Sequence, residues 1–329
     1  VQRRVEHSAL ADATPLVRAT AECQKGPRSG TGPLRKGPQL PGSSMGLTGD
    51  GHVHTEWSWD TGIPSSNSGM DSMCRRAMQI GLPALAFTEH LDVTSWAIEP
   101  EDLPDRLRPL ISEDGVFAPP LLEAEGYLDS VERCRREFPE LHILTGVEFG
   151  QPHLDEARAR EVIDLDSLDR VNGSLHTIPT SDEPDSIRSE PTTLYRLWPA
   201  DDVVRNYLAE MMRMIAAGGT FAVVSHIEYA VRYWPIEQEG PFDPKRFEDE
   251  FRQAMRAIAS TGRALELNIG GPIRPWIPQW WREEGGQVLT IASDAHTTDW
   301  LAGNFYEAMA MAEHFGFHPG SRPQEFWTR

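Results

Sequence analysis

The chain has 329 residues and a formal net charge of −19 at pH 7. This acidity argues against a nucleic-acid-binding surface, because phosphate backbones are bound by stripes of Lys and Arg. No apolar run approaches the roughly 18 residues of a membrane span, and the three cysteines lack the C-x-x-C spacing of a thiolate metal site. We therefore expect a cytoplasmic protein without a membrane span, whose partner is a small molecule.

The N-terminal residues differ in composition from the rest of the chain. Residues 1–44 contain seven basic and three acidic residues, and residues 26–44 are rich in Gly, Pro and Ser. Such a composition cannot bury enough apolar surface to fold, so we expect a disordered basic extension over residues 1–44 and one folded domain over residues 45–329. An upstream stretch translated ahead of a natural start at Met45 would give the same pattern, and a functional basic tail is the alternative.

Seven short apolar segments predict β-strands, at residues 48–54, 84–89, 143–149, 170–176, 221–226, 264–269 and 288–294. Several are nearly continuous in apolar character, as in strands that are buried on both faces. Segments of helical length lie at residues 70–81, 121–137, 154–164, 203–217, 244–261, 277–284 and 299–315. This alternation predicts an α/β fold, a parallel sheet closed into a TIM-like barrel. The long connections 90–120 and 177–200 are interpreted as walls or lids of an active site, or else as surface insertions.

The first predicted strand carries His52 and His54. Side chains two residues apart on a strand point to the same side, so these imidazoles converge if the segment is extended. Imidazoles beside carboxylates, here Asp50 and Asp60, are what a divalent transition metal needs. Alone, an H-x-H pair is more often incidental than a metal site.

Ionisable residues recur at the ends of the other predicted strands. These residues are Glu89, His90, Glu148, His176, His226, Asp294 and His296. In a parallel barrel all these ends open onto one face, where barrel enzymes keep their active sites. A single histidine is more often structural than a ligand, but six of seven strands that end this way predict a polynuclear metal site.

These motifs resemble those of the PHP (polymerase and histidinol phosphatase) superfamily, and in particular its histidinol-phosphatase branch of the actinobacterial type. The motifs are Asp50-x-His52-x-His54, Thr88-Glu89-His90, the strand with Glu148, and Ser293-Asp294-Ala295-His296. The resemblance runs from about Leu47 to the C-terminus. It implies a distorted (β/α)7 TIM-like barrel (PHP fold) with a metal site at the C-terminal ends of its strands, and two or three divalent ions, which would be Zn, Mn or Fe.

Transferred to this chain, the ligands of the family imply three groups of residues. The first ion would take His52, His54, Glu148 and Asp294. The second would share Glu148 and add His176 and His226. The third would take His90, His296 and Asp60. Some relatives have histidine where Asp60 stands, so this third site is expected to be the most labile.

The metal pocket predicts phosphoester hydrolysis. Two ions roughly 3.5–4 Å apart activate a bridging water and hold both sides of an in-line phosphoryl displacement. We therefore predict a phosphomonoesterase that works through a metal-bridging hydroxide, and the resemblance implies histidinol-phosphatase activity on L-histidinol phosphate. Asp50 is expected to orient a ligand imidazole. The predicted catalytic residues are Glu148, Asp294, Arg232, Arg274 and Glu89.

An alternative role exists for three of these residues, Arg232, Arg274 and Glu89. Arg232 and Arg274 follow strand ends and are expected to clamp the phosphate, unless they only stack on neighbouring aromatic rings. Glu89 is either a general acid for the leaving group or a residue that positions a metal ligand. The alternatives for the whole protein are a phosphoesterase or phosphodiesterase for another phosphorylated metabolite or nucleotide, and a non-catalytic metal-binding module. The sequence does not decide between a monomer and a homo-oligomer.

Overall fold

The computed structural model describes residues 46–61, 67–181, 183 and 186–329. The expectations for residues 1–44 and for Met45 lie outside these ranges and stay predictions. The strands of the described part are β1 (Asp50–Val53), β2 (Ala84–Leu91), β3 (Trp96–Ala97), β4 (Val116–Phe117), β5 (His142–Gly150), β6 (Arg170–Ser174), β7 (Ile178–Pro179), β8 (Arg188–Ser189), β9 (Val223–Val224), β10 (Ala264–Asn268), β11 (Val288–Ala292) and β12 (Trp327–Thr328). Its α-helices are α1 (Met70–Ile80), α2 (Ala124–Glu137), α3 (Glu156–Val162), α4 (Pro191–Leu194), α5 (Ala200–Ala217), α6 (Tyr229–Arg232), α7 (Ile236–Glu239), α8 (Glu248–Ser260), α9 (Trp276–Glu283) and α10 (Phe305–His314).

The large sheet has the strand order β1-β2-β5-β6-β9-β10-β11-β12. All its pairs are parallel except that of β11 with β12. The sheet curls until its first strand meets the segment after β11. Val53 is bridged to Ala295, and the backbone N–H of His54 donates to the carbonyl of Ala295 at 2.9 Å. The predicted α/β barrel-like fold is confirmed, and each of the seven predicted segments contains a parallel strand.

The helices cover the outside of this sheet because their apolar residues recur every three or four positions. In α1, Met70, Met73, Cys74 and Ala77 are all buried, which gives the helix one face toward the strands. The helix ends at Gly81 with φ 74°, a left-handed conformation that glycine adopts without steric cost. Among the helices of the described residues, none has both the length and the apolar character of a membrane span.

A second sheet, of order β4-β3-β8-β7, forms within the two long connections. The connections meet where β3 pairs with β8, and Ser189 Oγ donates to the carbonyl of Ala97 at 2.9 Å. Trp96 and Phe117 are buried in a separate apolar cluster beneath it, against which Trp59 packs. We call this small sheet the wall, because it stands beside the C-terminal ends of the barrel strands.

Glu210 on α5 joins the wall to the barrel. It is 2% exposed. Its carboxylate accepts hydrogen bonds from Arg188 at 2.7 Å, from His153 Nε2 at 2.8 Å and from Arg213 at 2.8 Å. Burial disfavours the charge of Glu210, but these partners more than offset it and lower its pKa to about 2. Arg188 also donates to the carbonyl of Thr177 at 2.7 Å, so the anchor reaches the residue next to a predicted metal ligand.

We expect Arg188→Ala to destabilise the fold by about 3 kcal/mol, because it leaves the charge of Glu210 buried with one partner fewer. The matched variant is Arg213→Ala, which removes another arginine from the same carboxylate. The Arg213 side chain is 59% exposed, so its removal should cost less than about 1 kcal/mol. Urea unfolding of both variants measures the difference, and equal losses would contradict the anchoring role of Arg188.

Candidate metal centre

Strand β1 brings the imidazoles of His52 and His54 together. Their Nε2 atoms lie 2.9 Å apart, and both residues are 0% exposed. Gly51, the residue before His52, lets this strand pack closely against the neighbouring strand β11, since a Cβ there would lie 2.5 Å from Thr290 Oγ1. The extended conformation predicted for this stretch is therefore present, and it directs two ring nitrogens to one point.

Glu148, near the end of β5, lies at the centre of the predicted ligands. Its Oε1 is 3.0 Å from His176 Nε2 and 2.7 Å from His226 Nε2. Its Oε2 faces the remaining imidazoles, with His52 Nε2 at 3.3 Å, His54 Nε2 at 3.3 Å and His90 Nδ1 at 3.2 Å. Burial disfavours the charged carboxylate, but the surrounding imidazoles hold the pKa of Glu148 well below its usual range.

Asp294 follows β11 and faces the pair of histidines on β1. Its Oδ1 lies 3.3 Å from His54 Nε2 and 3.7 Å from His52 Nε2. The backbone of Asp294 has φ 55°, a left-handed conformation that Asp tolerates better than most residues. This conformation is held in place because the N–H of Asp294 donates to the carbonyl of His52 at 2.9 Å.

Asp60 and His296 form the outer edge of the cluster. Asp60 Oδ2 lies 2.8 Å from His296 Nε2 and 3.4 Å from His90 Nε2. The side chains of Asp60 and His296 are 28% and 32% exposed. The structure thus brings all nine predicted ligands into one constellation, with this edge nearest to solvent.

The cluster fits divalent metal ions. Ligand atoms held about 2.1 Å from one ion stand roughly 3.0–3.4 Å apart in octahedral or tetrahedral geometry, and the spacings above lie around that range. The donors are nitrogens and carboxylate oxygens, which suit Zn, Mn or Fe. Four groups place their ligand atoms within 4.8 Å of one another: His52 with His54 and Asp294; His52 with Glu148 and His226; His90 with Glu148 and His176; and His54 with His90 and His296. Because the groups share residues, the division among individual ions stays a prediction.

Glu266, which the sequence reasoning missed, orients His52. Its Oε2 lies 2.8 Å from His52 Nδ1, and its Oε1 accepts a hydrogen bond from Asn268 at 2.7 Å. If His52 donates its Nδ1 proton to Glu266, its Nε2 lone pair faces the cluster. The available signal was a charged residue inside the buried strand β10, in the one predicted strand without a His, Asp or Glu at or next to its end.

Asp50 was expected to orient an imidazole, and this was wrong. Its Oδ1 accepts hydrogen bonds from the backbone N–H groups of Ser293 at 2.9 Å and His52 at 3.3 Å. Asp50 therefore braces the backbone where β1 and β11 meet. Burial, only partly offset by these hydrogen bonds, raises its pKa to about 6.

Glu89 lies behind His54 and is 0% exposed. It accepts hydrogen bonds from the backbone and side chain of Thr55 at 2.9 and 2.5 Å and from Ser58 Oγ at 2.6 Å. Ser58 Oγ in turn lies 2.8 Å from His54 Nδ1. Because Ser58 donates its proton to Glu89, it is left to accept one from His54, which turns the His54 Nε2 lone pair to the cluster. This geometry favours the positioning alternative for Glu89 over the general acid.

Asp92 is a second carboxylate that the sequence reasoning missed. Its Oδ2 accepts a hydrogen bond from Trp59 Nε1 at 2.9 Å and lies 3.3 Å from His90 Nδ1, while its Oδ1 lies 3.7 Å from His176 Nδ1. Gly150 makes room for it, because a Cβ there would lie 1.8 Å from Asp92 Oδ1. Asp92 sits two residues beyond His90, so its position after a strand end was the signal.

Of the two predicted phosphate clamps, Arg232 contacts Asp294 directly, and Arg274 lies close enough to Arg232 for their charges to interact. Arg232 Nη1 donates to Asp294 Oδ2 at 2.8 Å, while its Nη2 is buried and has no hydrogen-bond partner in the described part of the protein. The guanidinium also lies over the ring of Tyr229, 5.5 Å from its centroid. Burial lowers the pKa of Arg274; the nearby Glu228 opposes this shift and Arg232 adds to it. Two guanidiniums therefore act on each other beside the cluster.

Residues 50–269 match the sequence profile of the PHP domain. The chain belongs to the PHP domain family. It is 25% identical over 185 residues to a probable histidinol-phosphatase from Clostridium acetobutylicum, covering 54% of this chain and 69% of that protein. It is 22% identical over 271 residues to a probable histidinol-phosphatase from Deinococcus radiodurans, covering 79% of this chain and 90% of that one.

A crystal structure of histidinol phosphate phosphatase from Lactococcus lactis, complexed with Zn, L-histidinol and phosphate, has the same fold. The TM-score is 0.64 at 21% sequence identity, and the match covers 83% of this PHP chain and 95% of that chain. At this level of identity the likeness establishes the architecture. It agrees with the barrel-like sheet described above.

Glu266→Ala should weaken divalent metal binding by about 10- to 100-fold, because the His52 imidazole loses the partner that fixes its orientation. Glu266→Gln can still accept the hydrogen bond and should lose less. Competition with a chromogenic chelator measures both affinities. Glu307→Gln, on the exposed side of α10, is the control, and wild-type affinity in Glu266→Ala would refute the role.

Metal binding should release protons at pH 7. Burial disfavours the charged imidazoles of His176 and His296, but Glu148 and Asp60, respectively, more than offset this and raise each pKa from 6.5 to about 9. The apparent affinity for Mn²⁺ should therefore rise between pH 7 and pH 9. In the metal-free protein the same charge pairs stabilise the fold fully below pH 6.5, and this contribution is lost as the pH rises through about 9.

Titration calorimetry in buffers of different ionisation enthalpy counts the released protons. A Mn²⁺ affinity that does not change over this pH interval, with no proton release at pH 7, would show that the imidazoles are already neutral in the metal-free protein.

Proposed function

We propose that the protein is a metal-dependent phosphomonoesterase that hydrolyses L-histidinol phosphate to L-histidinol and phosphate. The observation that carries this proposal is the arrangement of five imidazoles around the two oxygens of Glu148, at 2.7 to 3.3 Å. The two probable histidinol-phosphatases among its relatives support the substrate. The Lactococcus structure, which holds L-histidinol and phosphate, supports it as well.

Two or three divalent ions, Zn, Mn or Fe, are the cofactors in this proposal. The residues that would hold them are His52, His54, Asp60, His90, Glu148, His176, His226, Asp294 and His296. When bound, such ions supply an activated nucleophile from water and positive charge for the phosphoryl oxygens. Glu148 would be the carboxylate shared between ions, because Oε1 faces one set of imidazoles and Oε2 faces another.

The residues around the cluster prepare it for an anion. Glu266 and the Ser58–Glu89 pair fix the tautomers of His52 and His54, so no reorientation is needed when ligands bind. Arg232 Nη1 donates a hydrogen bond to Asp294 Oδ2 at 2.8 Å. The other guanidinium nitrogen, Nη2, is left to donate to a phosphate oxygen, and Arg274 adds a second positive charge nearby.

The proposed partner is a small phosphorylated metabolite, and the proposed location is the cytoplasm. Cys74 and Cys134 are free and buried, as is typical of proteins in a reducing compartment. A net charge of −19 opposes the approach of a polyanion such as a nucleic acid. A small phosphate ester carries far fewer negative charges and so meets less repulsion, and ions bound at the cluster would reverse the local sign there.

Metal-loaded protein should release inorganic phosphate from L-histidinol phosphate, and treatment with a chelator should abolish the release until Mn²⁺ or Zn²⁺ is restored. Glu148→Gln should lower kcat by about 1,000-fold. The amide is neutral and has a single oxygen, so it cannot place a negatively charged oxygen beside each set of imidazoles. Glu307→Gln again serves as the control. A steady-state phosphate assay against L-histidinol phosphate and a panel of other phosphomonoesters measures these rates.

The panel also separates the alternatives. Phosphate release only from other esters would contradict L-histidinol phosphate as the substrate but would leave the phosphomonoesterase reaction standing. No phosphate release from any monoester by protein that has bound its metal would overturn the phosphomonoesterase and leave the phosphodiesterase and the non-catalytic module as alternatives.

A further inference from the structure

The wall places one carboxylate, that of Glu190, at the mouth of the metal centre. Glu190 lies between β8 and α4, and its side chain does not cap the helix that follows it. Its charge interacts with His176 and Asp92, and with the hydroxyl groups of Tyr229 and Tyr233. Glu190 is therefore next to the cluster but belongs to none of the groups that could hold an ion.

This carboxylate has no cationic partner in the protein. No Arg, Lys or His among the described residues forms an ion pair with Glu190, and the donors near its carboxylate are neutral, Thr192 Oγ1 at 3.4 Å and the indole of Trp96. The neighbouring arginines are engaged elsewhere, Arg188 with Glu210 and Arg196 with Asp102. Burial raises the pKa of Glu190 to about 7, although solvent still reaches part of the residue. A carboxylate in such a place is stabilised by an added positive charge.

Aromatic rings complete a surface suited to a cation. The Tyr229 ring lies beside the cluster, tilted against the His176 ring with the two centroids 5.0 Å apart. The Tyr233 ring lies 5.3 Å from the Tyr229 ring, and the two hydroxyl oxygens are 3.3 Å apart. The faces of such rings attract ammonium and imidazolium groups, and a carboxylate beside them strengthens the attraction.

The mouth of the metal centre carries negative charge on one side and positive charge on the other. The hydroxyl of Tyr233 interacts with the negative charge of Glu190 and with the positive charge of Arg232. An anionic side and a cationic side therefore flank the same tyrosine pair. A ligand that fits this arrangement carries a phosphate at one end, toward Arg232 and the metal centre, and a positive charge at the other.

We propose that Glu190 determines substrate specificity by binding the positively charged group on the alcohol part of the phosphomonoester. The substrate class is thus phosphate esters of cationic amino alcohols. This inference rests on the proposed function and deepens it. Glu190 contributes binding energy remote from the phosphorus atom, so its effect belongs mainly in KM.

Glu190→Gln keeps the shape of the side chain and removes its charge. For L-histidinol phosphate it should lower kcat/KM by about 10- to 100-fold, mainly through KM, the range expected for a lost charge-assisted hydrogen bond. For glycerol phosphate, whose alcohol is uncharged, kcat/KM should stay within about twofold of the wild type. Glu101→Gln is the matched control, since Glu101 is an exposed acid in the connection that forms the same wall. It should leave both substrates unaffected.

Binding of L-histidinol, which is cationic and has no phosphate, provides a readout without turnover. Calorimetry should show binding to the metal-loaded wild type, about tenfold weaker binding to Glu190→Gln, and wild-type binding to Glu101→Gln. Equal losses of kcat/KM for both esters in Glu190→Gln, or undiminished L-histidinol binding, would overturn the specificity role while the phosphatase stands.

Failure of the proposed substrate would give a different result. One such result is a wild type that hydrolyses O-phosphoethanolamine but not L-histidinol phosphate. In that case, a Glu190→Gln variant that loses activity on O-phosphoethanolamine and keeps it on glycerol phosphate supports the role of Glu190, although the proposed substrate is wrong. If the wild type hydrolyses no phosphomonoester and binds no L-histidinol, both the proposed function and the inference are overturned.

Discussion

The structure depends on a buried carboxylate, Glu148, that must face five imidazoles at hydrogen-bond distance. Burying this charge is unfavourable unless positive charge surrounds it, and the imidazoles come from four other strand ends. Each must therefore arrive in a fixed position and with a fixed tautomer. The barrel supplies the positions, because parallel strands that are held in register end on one face.

The tautomers of His52 and His54 are set by groups outside the cluster, and each of these two imidazoles is held by a different group. Glu266 holds His52, while Ser58 and Glu89 hold His54. These supports come from different strands, so the metal centre is encoded across the whole barrel rather than in the motifs alone. A chain with the same nine ligands and without Glu266 would place them less rigidly.

The strands could be predicted, and the residues that gather in the cluster could be noticed, because both are local signals in the sequence. A strand buried on both faces is a continuous apolar run, and a His or Asp at its end needs no knowledge of the fold to be noticed. The wall could not be predicted, because strands of two residues such as β3 and β8 carry no periodicity. The role expected for Asp50 was wrong because closeness in sequence to His52 suggests contact with the imidazole ring. The carboxylate of Asp50 turns instead toward the backbone of Ser293. Glu266 was missed because its partner lies 214 positions away.

The closure of the barrel has a consequence for the order of its assembly. Its seam joins β1 to the segment after β11 through contacts between residues as far as 243 positions apart, and four of the predicted ligands lie along it. Nearly the whole domain must be synthesised before His52 and His54 can meet Asp294. Ions held by His52, His54 and Asp294 would then join the two ends of the sheet, so the metal centre would also be a structural link that completes the barrel.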